Sequence, residues 1–212
     1  LLSWDWYACL CIFMIATPQF FSPQEYLNWE SQQPIKYEYI NGQVFAMTGG
    51  TIPHNQVAIN LAALLKNHLL GRGYKVLGGD AKVGITDNDP FHYPDVSVTC
   101  DNRDRNARQY IRYPCLIVEV LSPSTESEDR GRKFRHYRRI ESLQEYLLID
   151  PDCPSVECYR RNERGNWELI HTFIDAFSFA KSDLSFELTS VGLQVPLSLV
   201  YEDIDFPFSA TE

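Results

Sequence analysis

No pair of cysteines in this sequence has C-x-x-C spacing, and none joins a histidine at zinc-ligand spacing. Cys9, Cys11, Cys100, Cys115, Cys153 and Cys158 are therefore read as reduced thiols. Cys100 and Cys115, in or beside apolar runs, are expected to be small buried hydrophobes, and a cytoplasmic protein follows. There is no H-E-x-x-H and the five histidines are scattered, which argues against a zinc hydrolase. The apolar opening LLSWDWYACLCIFMIA lacks a positive leading region, contains Asp5 and is too short to span a bilayer. No membrane partner is expected. Residues 1–13 are read as an upstream extension outside the fold, with a plausible true start at Met14, and 14–212 as a single domain. Repeats, low-complexity tracts and linkers are missing too. An excess of positive charge is also lacking: the net charge of −9 excludes a protein that coats nucleic acid with its whole surface.

What is present suits a packed α/β domain, since 44% of the residues are apolar and 13% aromatic. The charge is unevenly spread. Between Arg103 and Arg139 lie ten of the 19 basic residues and five of the 28 acidic ones, so this stretch is +5 and the remainder −14. Such a segment is either a local phosphate-binding face or a solvated helix face.

Ser22-Pro23-Gln24-Glu25 is a capping box with proline at the first helical position, predicting a helix over about 23–31. Asn41-Gly42 between KYEYI and QVFAM signals a hairpin. Val57, Leu61, Leu64, Leu65 and Leu69 recur as one helix face ending at Gly71. YKVLGGDAKVGI, HYPDVSVTC and PCLIVEVL read as three strands, followed by a helix that Thr125–Glu128 would cap, to about Arg139. EYLLID is a buried strand, and SVECYRR with WELIHTFI a peripheral antiparallel hairpin. The tail from Phe186 should add a strand and a packing segment.

Two carboxylates stand out. Side chains alternate along a strand, so Glu119 shares a face with Ile117 and Leu121. A buried carboxylate must be protonated, paired with a cation or bound to a metal. Asp95 heads the preceding strand. If the two strands pair, both acids point to one side, and a divalent cation between them would relieve their repulsion. Oxygen ligands of this kind suit Mg²⁺ or Mn²⁺. A core ion pair is the structural alternative.

With the basic helix that follows, this arrangement resembles the PD-(D/E)XK, restriction-endonuclease-like superfamily. More closely, YEYINGQVFAMTGG, PHNQVAINL, YPDVSV, LIVEVLSPST, DRGRKFRHY and EYLLIDP are together similar to the family catalogued as domain of unknown function 820. The resemblance covers about residues 18–205. It implies an αβββαβ core with a central mixed sheet flanked by helices, an N-terminal hairpin, a C-terminal antiparallel extension, and metal-dependent hydrolysis of DNA. By the same resemblance, Asp95 and Glu119 are the metal ligands. The superfamily's Glu-x-Lys lysine is replaced by Leu121, and the close family's helix lysine corresponds to Lys133. Lys82, on the strand before Pro-Asp, is the other candidate, although it can equally point to solvent. Glu38 matches the acid before the hairpin turn, as a holder of water or an orienter of Lys133. His54 is a secondary candidate, and Tyr137 is left to packing. Helical geometry groups Arg135, Arg138 and Arg139 as the nucleic-acid contact. A homodimer is plausible, because cutting both strands takes two sites. The competing readings are a catalytically weak or inactive binding module of the same fold, and an interaction protein using the 103–139 segment.

Overall fold

The structure, a computed structural model, describes residues 20–47, 49–179 and 182–206. The expectation for residues 1–13 lies outside these. Helix α1 (Pro23–Glu30) begins at the anticipated capping box, with both reciprocal hydrogen bonds of Ser22 and Glu25 formed. Strands β1 (Tyr37–Ile40) and β2 (Gln43–Ala46) turn through Asn41 and Gly42 at φ 51° and 83°. Left-handed values at both central residues suit the twist of a two-residue hairpin, which is why Asn-Gly stands here.

Helix α2 (Ile52–His68) buries Val57, Leu61 and Leu65. The run expected as one strand after it is two. Strand β3 (Lys75–Gly78) joins the main sheet, whereas β4 (Val83–Gly84) joins the smaller one. HYPDVSVTC likewise divides, into β5 (Phe91–His92) and β6 (Val96–Thr99). Glycines and prolines at these breaks let the chain leave one sheet and enter the other.

The smaller sheet has the order β2-β1-β5-β4. The main sheet runs β10-β9-β8-β7-β6-β3, with β7 (Leu116–Val120), β8 (Glu145–Asp150), β9 (Ser155–Arg161) and β10 (Trp167–Phe173). Among the described strands of this sheet, β7 and β8 pair in parallel and the other neighbours are antiparallel. The crossover between the parallel pair is helical: α3 (Glu126–Glu128), a π-turn (Asp129–Lys133) and α4 (Phe134–Tyr137). Thr125 makes no capping hydrogen bond, so the second capping box does not form. The tail holds β11 (Ser185–Leu188) and β12 (Leu193–Pro196), one strand more than anticipated. Short helices α5 (Ala176–Phe179) and α6 (Leu197–Val200) flank them.

Alternation along β6 to β8 sends side chains into two cores. Val96, Val98, Val118 and Val120 pack with α2 and the C-terminal elements on one face. On the other, Ile117, Leu121, Tyr146 and Leu148 meet Tyr137, Ile140 and Leu143. Leu121 is 5% exposed in that second core, so the position of the superfamily lysine has become packing. Cys100 is exposed rather than buried, and Cys115 is half-buried. Among the described residues no helix is long and apolar enough to cross a membrane.

Candidate active site

Strands β6 and β7 pair with Val96 opposite Val118. One step further along that register, Asp95 falls opposite Glu119, and both line a cavity of about 300 Å³ together with His54, Tyr93, Ser122 and Lys133. Asp95 is fixed through Oδ2, which accepts the Val120 backbone N–H at 2.7 Å and faces His54 Nε2 at 3.4 Å. The hydrogen bond to Asp95 raises the His54 pKa against the opposing effect of burial. Thr51 caps α2 by accepting from the His54 backbone. The approach to His54 is tight: a Cβ at Gly50 would lie 2.7 Å from His54 Nδ1, so a larger residue there would displace the imidazole.

Glu119 is 3% exposed beneath the crossover helix. Its Oε1 accepts from Lys133 Nζ at 3.1 Å and from the Tyr137 hydroxyl at 2.8 Å. No protein donor among the described residues is bonded to Oε2. Another buried carboxylate of the sheet, Glu145, differs in this respect. Both its oxygens are occupied, by Arg160 at 2.8 Å and by the backbone N–H groups of Thr189 and Ser190 at 3.1 and 2.9 Å. Glu145 is a structural clamp on the C-terminal hairpin, whereas Glu119 has both its hydrogen bonds on one oxygen.

Lys133 is the hub. Its Nζ lies 2.9 Å from Asp129 Oδ1, 3.1 Å from Glu119 Oε1 and 3.6 Å from Glu38 Oε1, with the side chain 11% exposed. The π-turn carries both Asp129 and Lys133 onto the inner side of the helix, a local unwinding common at functional positions. Burial works against the ammonium charge, but Glu119, Glu38 and Asp129 outweigh it and hold the lysine pKa well above its ordinary value. Burial also pushes the Glu119 carboxyl well up; Lys133 opposes this, and Asp129, Asp95 and Glu38 add to it. Glu38 goes the other way. Burial would raise it, but His92 and Lys133 bring it down to about 2.

The five expected site residues Asp95, Glu119, Lys133, Glu38 and His54 thus come together, Glu38 through Lys133 and a smaller adjoining cavity. Lys82 does not. It is 5% exposed, paired with Glu30 at 3.0 Å and placed 4.6 Å over the Tyr26 ring, which corrects the expectation that it can point to solvent. Tyr137 is more than packing, because its hydroxyl bonds Glu119. Asp129 and His92 were not singled out from the sequence as members of the site. The i, i+4 spacing of Asp129 and Lys133 held a signal, whereas nothing local marks His92.

The arginines of the basic segment divide. Arg103 is paired with Asp101, Arg112 with Asp87, Arg130 with Glu126 and Glu157, and Arg132 with Glu128. Arg135, Arg138 and Arg139 are exposed on α4 and just beyond it, outside the cavity lining. Among the described residues no group of three or more His, Cys, Asp or Glu is arranged to hold a metal. The available oxygen set is the pair Asp95 and Glu119. That pair fits a small hard cation, which binds through one or two carboxylates and completes its shell with water and substrate oxygens.

A mixed sheet between helices, with paired acids at the antiparallel β6–β7 edge of the cavity, is a restriction-endonuclease-like fold. A crystal structure titled a "putative nuclease belonging to DUF820", from Anabaena variabilis, superposes with a TM-score of 0.67 at 17% identity, covering 85% of this chain and 97% of that one. The chain belongs to the Uma2 family, described as "Putative restriction endonuclease", whose model matches residues 23–196. Two proteins of Synechocystis sp. are similar along most of their length. The uncharacterized slr1290 is 42% identical over 185 residues, 87% of this chain and 93% of that protein. The uncharacterized sll1609 is 35% identical over 174 residues, 79% and 98% respectively.

Proposed function

We propose that the protein is a metal-dependent endonuclease that hydrolyses phosphodiester bonds of DNA, with Asp95 and Glu119 holding Mg²⁺ or Mn²⁺. The observation that carries this reading is Lys133: a lysine from the crossover helix meets Glu119 where the sheet itself offers only Leu121. When bound, the ion would polarise the scissile phosphate and ease deprotonation of an attacking water. The Val120 N–H and His54 both engage Oδ2 of Asp95, which fixes that carboxylate at the cavity. Tyr137 and Lys133 do the same for Glu119 from behind. Three carboxylates keep Lys133 charged, so its role is to stabilise negative charge developing on the phosphoryl group, not to accept a proton. Glu38 orients that ammonium from β1 of the smaller sheet.

Next to the site, Phe45 presents an exposed ring with the Arg132 guanidinium 5.3 Å from its centroid. An aromatic face and a cation suit a flanking nucleotide. Arg135, Arg138 and Arg139 serve phosphates further along the strand. Carboxylates already occupy Arg103, Arg112 and Arg130, which weakens the reading of the whole basic segment as a protein-docking surface.

Plasmid nicking with Mg²⁺ or Mn²⁺, against an EDTA control, tests the activity, and Mn²⁺ calorimetry tests the site. Nicking should need the metal, and Asp95→Asn or Glu119→Gln should abolish it and weaken Mn²⁺ binding. Unchanged Mn²⁺ affinity in both variants would place the ion elsewhere.

A further inference from the structure

We propose that His92 is a positioning residue that, steadied by His136, holds Glu38 ionised and aimed at Lys133. This extends the nuclease reading and rests on it for the role of Lys133. His92 is wholly buried, yet it is polar at both ends. Its Nδ1 lies 3.1 Å from Glu38 Oε2, and its Nε2 lies 2.9 Å from His136 Nδ1. The two imidazoles stack at 5.2 Å, and the Tyr137 ring meets His92 edge-on at 5.4 Å. The Oε1 atom of the same Glu38 faces Lys133 at 3.6 Å and accepts the Tyr93 backbone N–H at 3.4 Å. A chain of contacts therefore runs from half-buried His136 through His92 and Glu38 to the central ammonium.

The hydrogen placement follows from the acceptors. An ionised carboxylate can only accept, so the His92 nitrogen 3.1 Å from it is the one that carries hydrogen, in a polar contact short of hydrogen-bond alignment. In a neutral His92, Nε2 is then an acceptor and His136 must supply Nδ1–H. A protonated His92 reverses that single bond, donating Nε2–H to the lone pair of His136 Nδ1. A proton taken up at the outer nitrogen of His136 can thus reach His92 when the shared hydrogen shifts across the 2.9 Å contact, with no other bond changed. Glu38 faces His92 from β1, and Tyr137 beside it is a neutral phenol. Burial, His92 and the charges of Arg139, Arg132 and Arg135 hold the His136 pKa down to about 4.

Two substitutions separate positioning from packing. His92→Phe keeps a ring against Tyr137 and His136 but has no donor for Glu38. His92→Gln loses the ring but keeps an N–H. If His92 acts through the Nδ1–H that faces Glu38, His92→Phe should raise the Glu38 titration midpoint from about 2 towards the ordinary carboxylate range, read by carboxyl ¹³C NMR in EDTA without substrate. The acid limb of Mn²⁺-dependent nicking should move up with it, and His92→Gln should restore both. In the parent, ¹⁵N imidazole spectra should show Nδ1 of His92 bearing hydrogen. A Glu38 midpoint unmoved by His92→Phe, or the Nε2–H tautomer at His92, overturns the proposal. Because the NMR arm needs neither metal nor DNA, a parent protein that nicks nothing would count against the nuclease reading and leave this test intact.

Discussion

Lys133 and Glu119 meet at 3.1 Å although a turn and the unwound part of a helix separate them along the chain. The lysine enters the site from the helix and the acid from the sheet, so their contact depends on how the crossover docks onto β7. Lys133→Ala should therefore lower the nicking rate at least about 100-fold, as expected when a group acting in the transition state is lost, with DNA affinity little changed. The same variant leaves Glu119, Asp129 and Glu38 facing one another without a cation. Loss of one partner of a buried pair costs about 3–5 kcal/mol, so the melting temperature at neutral pH should also fall. That deficit should narrow on acidification, as Glu119, whose carboxyl burial pushes up, takes up a proton.

Lys82 gives the contrasting expectation. Its ammonium sits among Tyr26, Phe91 and Tyr93, and Glu30 completes the cluster by accepting the Tyr93 hydroxyl at 2.5 Å. This cluster ties α1 to the smaller sheet. Lys82→Ala should destabilise the fold by a similar few kcal/mol, because Glu30 loses its buried partner. Nicking per folded molecule should stay within a few-fold of the parent. If activity falls as steeply as in Lys133→Ala while folding is retained, the lysine role belongs to Lys82.

Much of this arrangement was legible in the sequence, for physical reasons that can be named. Period-2 alternation around Glu119 and the Pro-Asp at the head of the preceding strand follow from strand geometry, so their convergence could be anticipated. The Asn-Gly turn placed Glu38. What stayed hidden depends on contacts distant in sequence. His92 lies on a two-residue strand whose burial is set by β1 and α4 together. Tyr137 looked like packing because a hydroxyl's partner cannot be read from helical period. The π-turn has no sequence signature of its own, and the break at Gly79 exchanges one sheet for another without changing the apolar pattern on either side. Lys82 illustrates the same limit: alternation gave it a face, but only the fold shows that aromatic rings cover that face.

Arg135, Arg138 and Arg139 carry the expected phosphate contacts. Replacing all three with alanine should weaken DNA binding and flatten the fall of log K with log salt, since each neutralised phosphate contributes about 0.9 to that slope. The matched control is Arg130→Ala, whose guanidinium already lies 2.6 Å from Glu157 and 2.8 Å from Glu126. It should alter the slope little. Equal slopes for the triple variant and the parent would make this helix surface a solvated face.

Glu119 should show opposite effects on stability and function. Its folded-state pKa is raised, mainly by burial. The favourable contribution of the protonated group is fully present below the unfolded value of about 4.3 and is lost as pH rises through the folded value. Without metal, then, an ionised Glu119 burdens the fold near neutrality. Glu119→Gln keeps the shape and an acceptor for Tyr137 and removes that charge, while Asp129 and Glu38 remain to pair Lys133. The variant should melt higher than the parent at pH 8 in EDTA, by about 2–4 °C for each kcal/mol gained. The gain should shrink as pH is lowered and the parent's Glu119 takes up its proton. Glu38 contributes with the other sign: held at about 2, it stabilises above its unfolded value and that support fades in acid. Parent and variant share this effect, so it cancels in their difference. Nicking by Glu119→Gln should be undetectable under every condition in which the parent cuts. A variant that is less stable than the parent at pH 8, with or without activity, would mean that the Glu119 charge is fully compensated by Lys133 and Tyr137 and is not held in reserve for a cation.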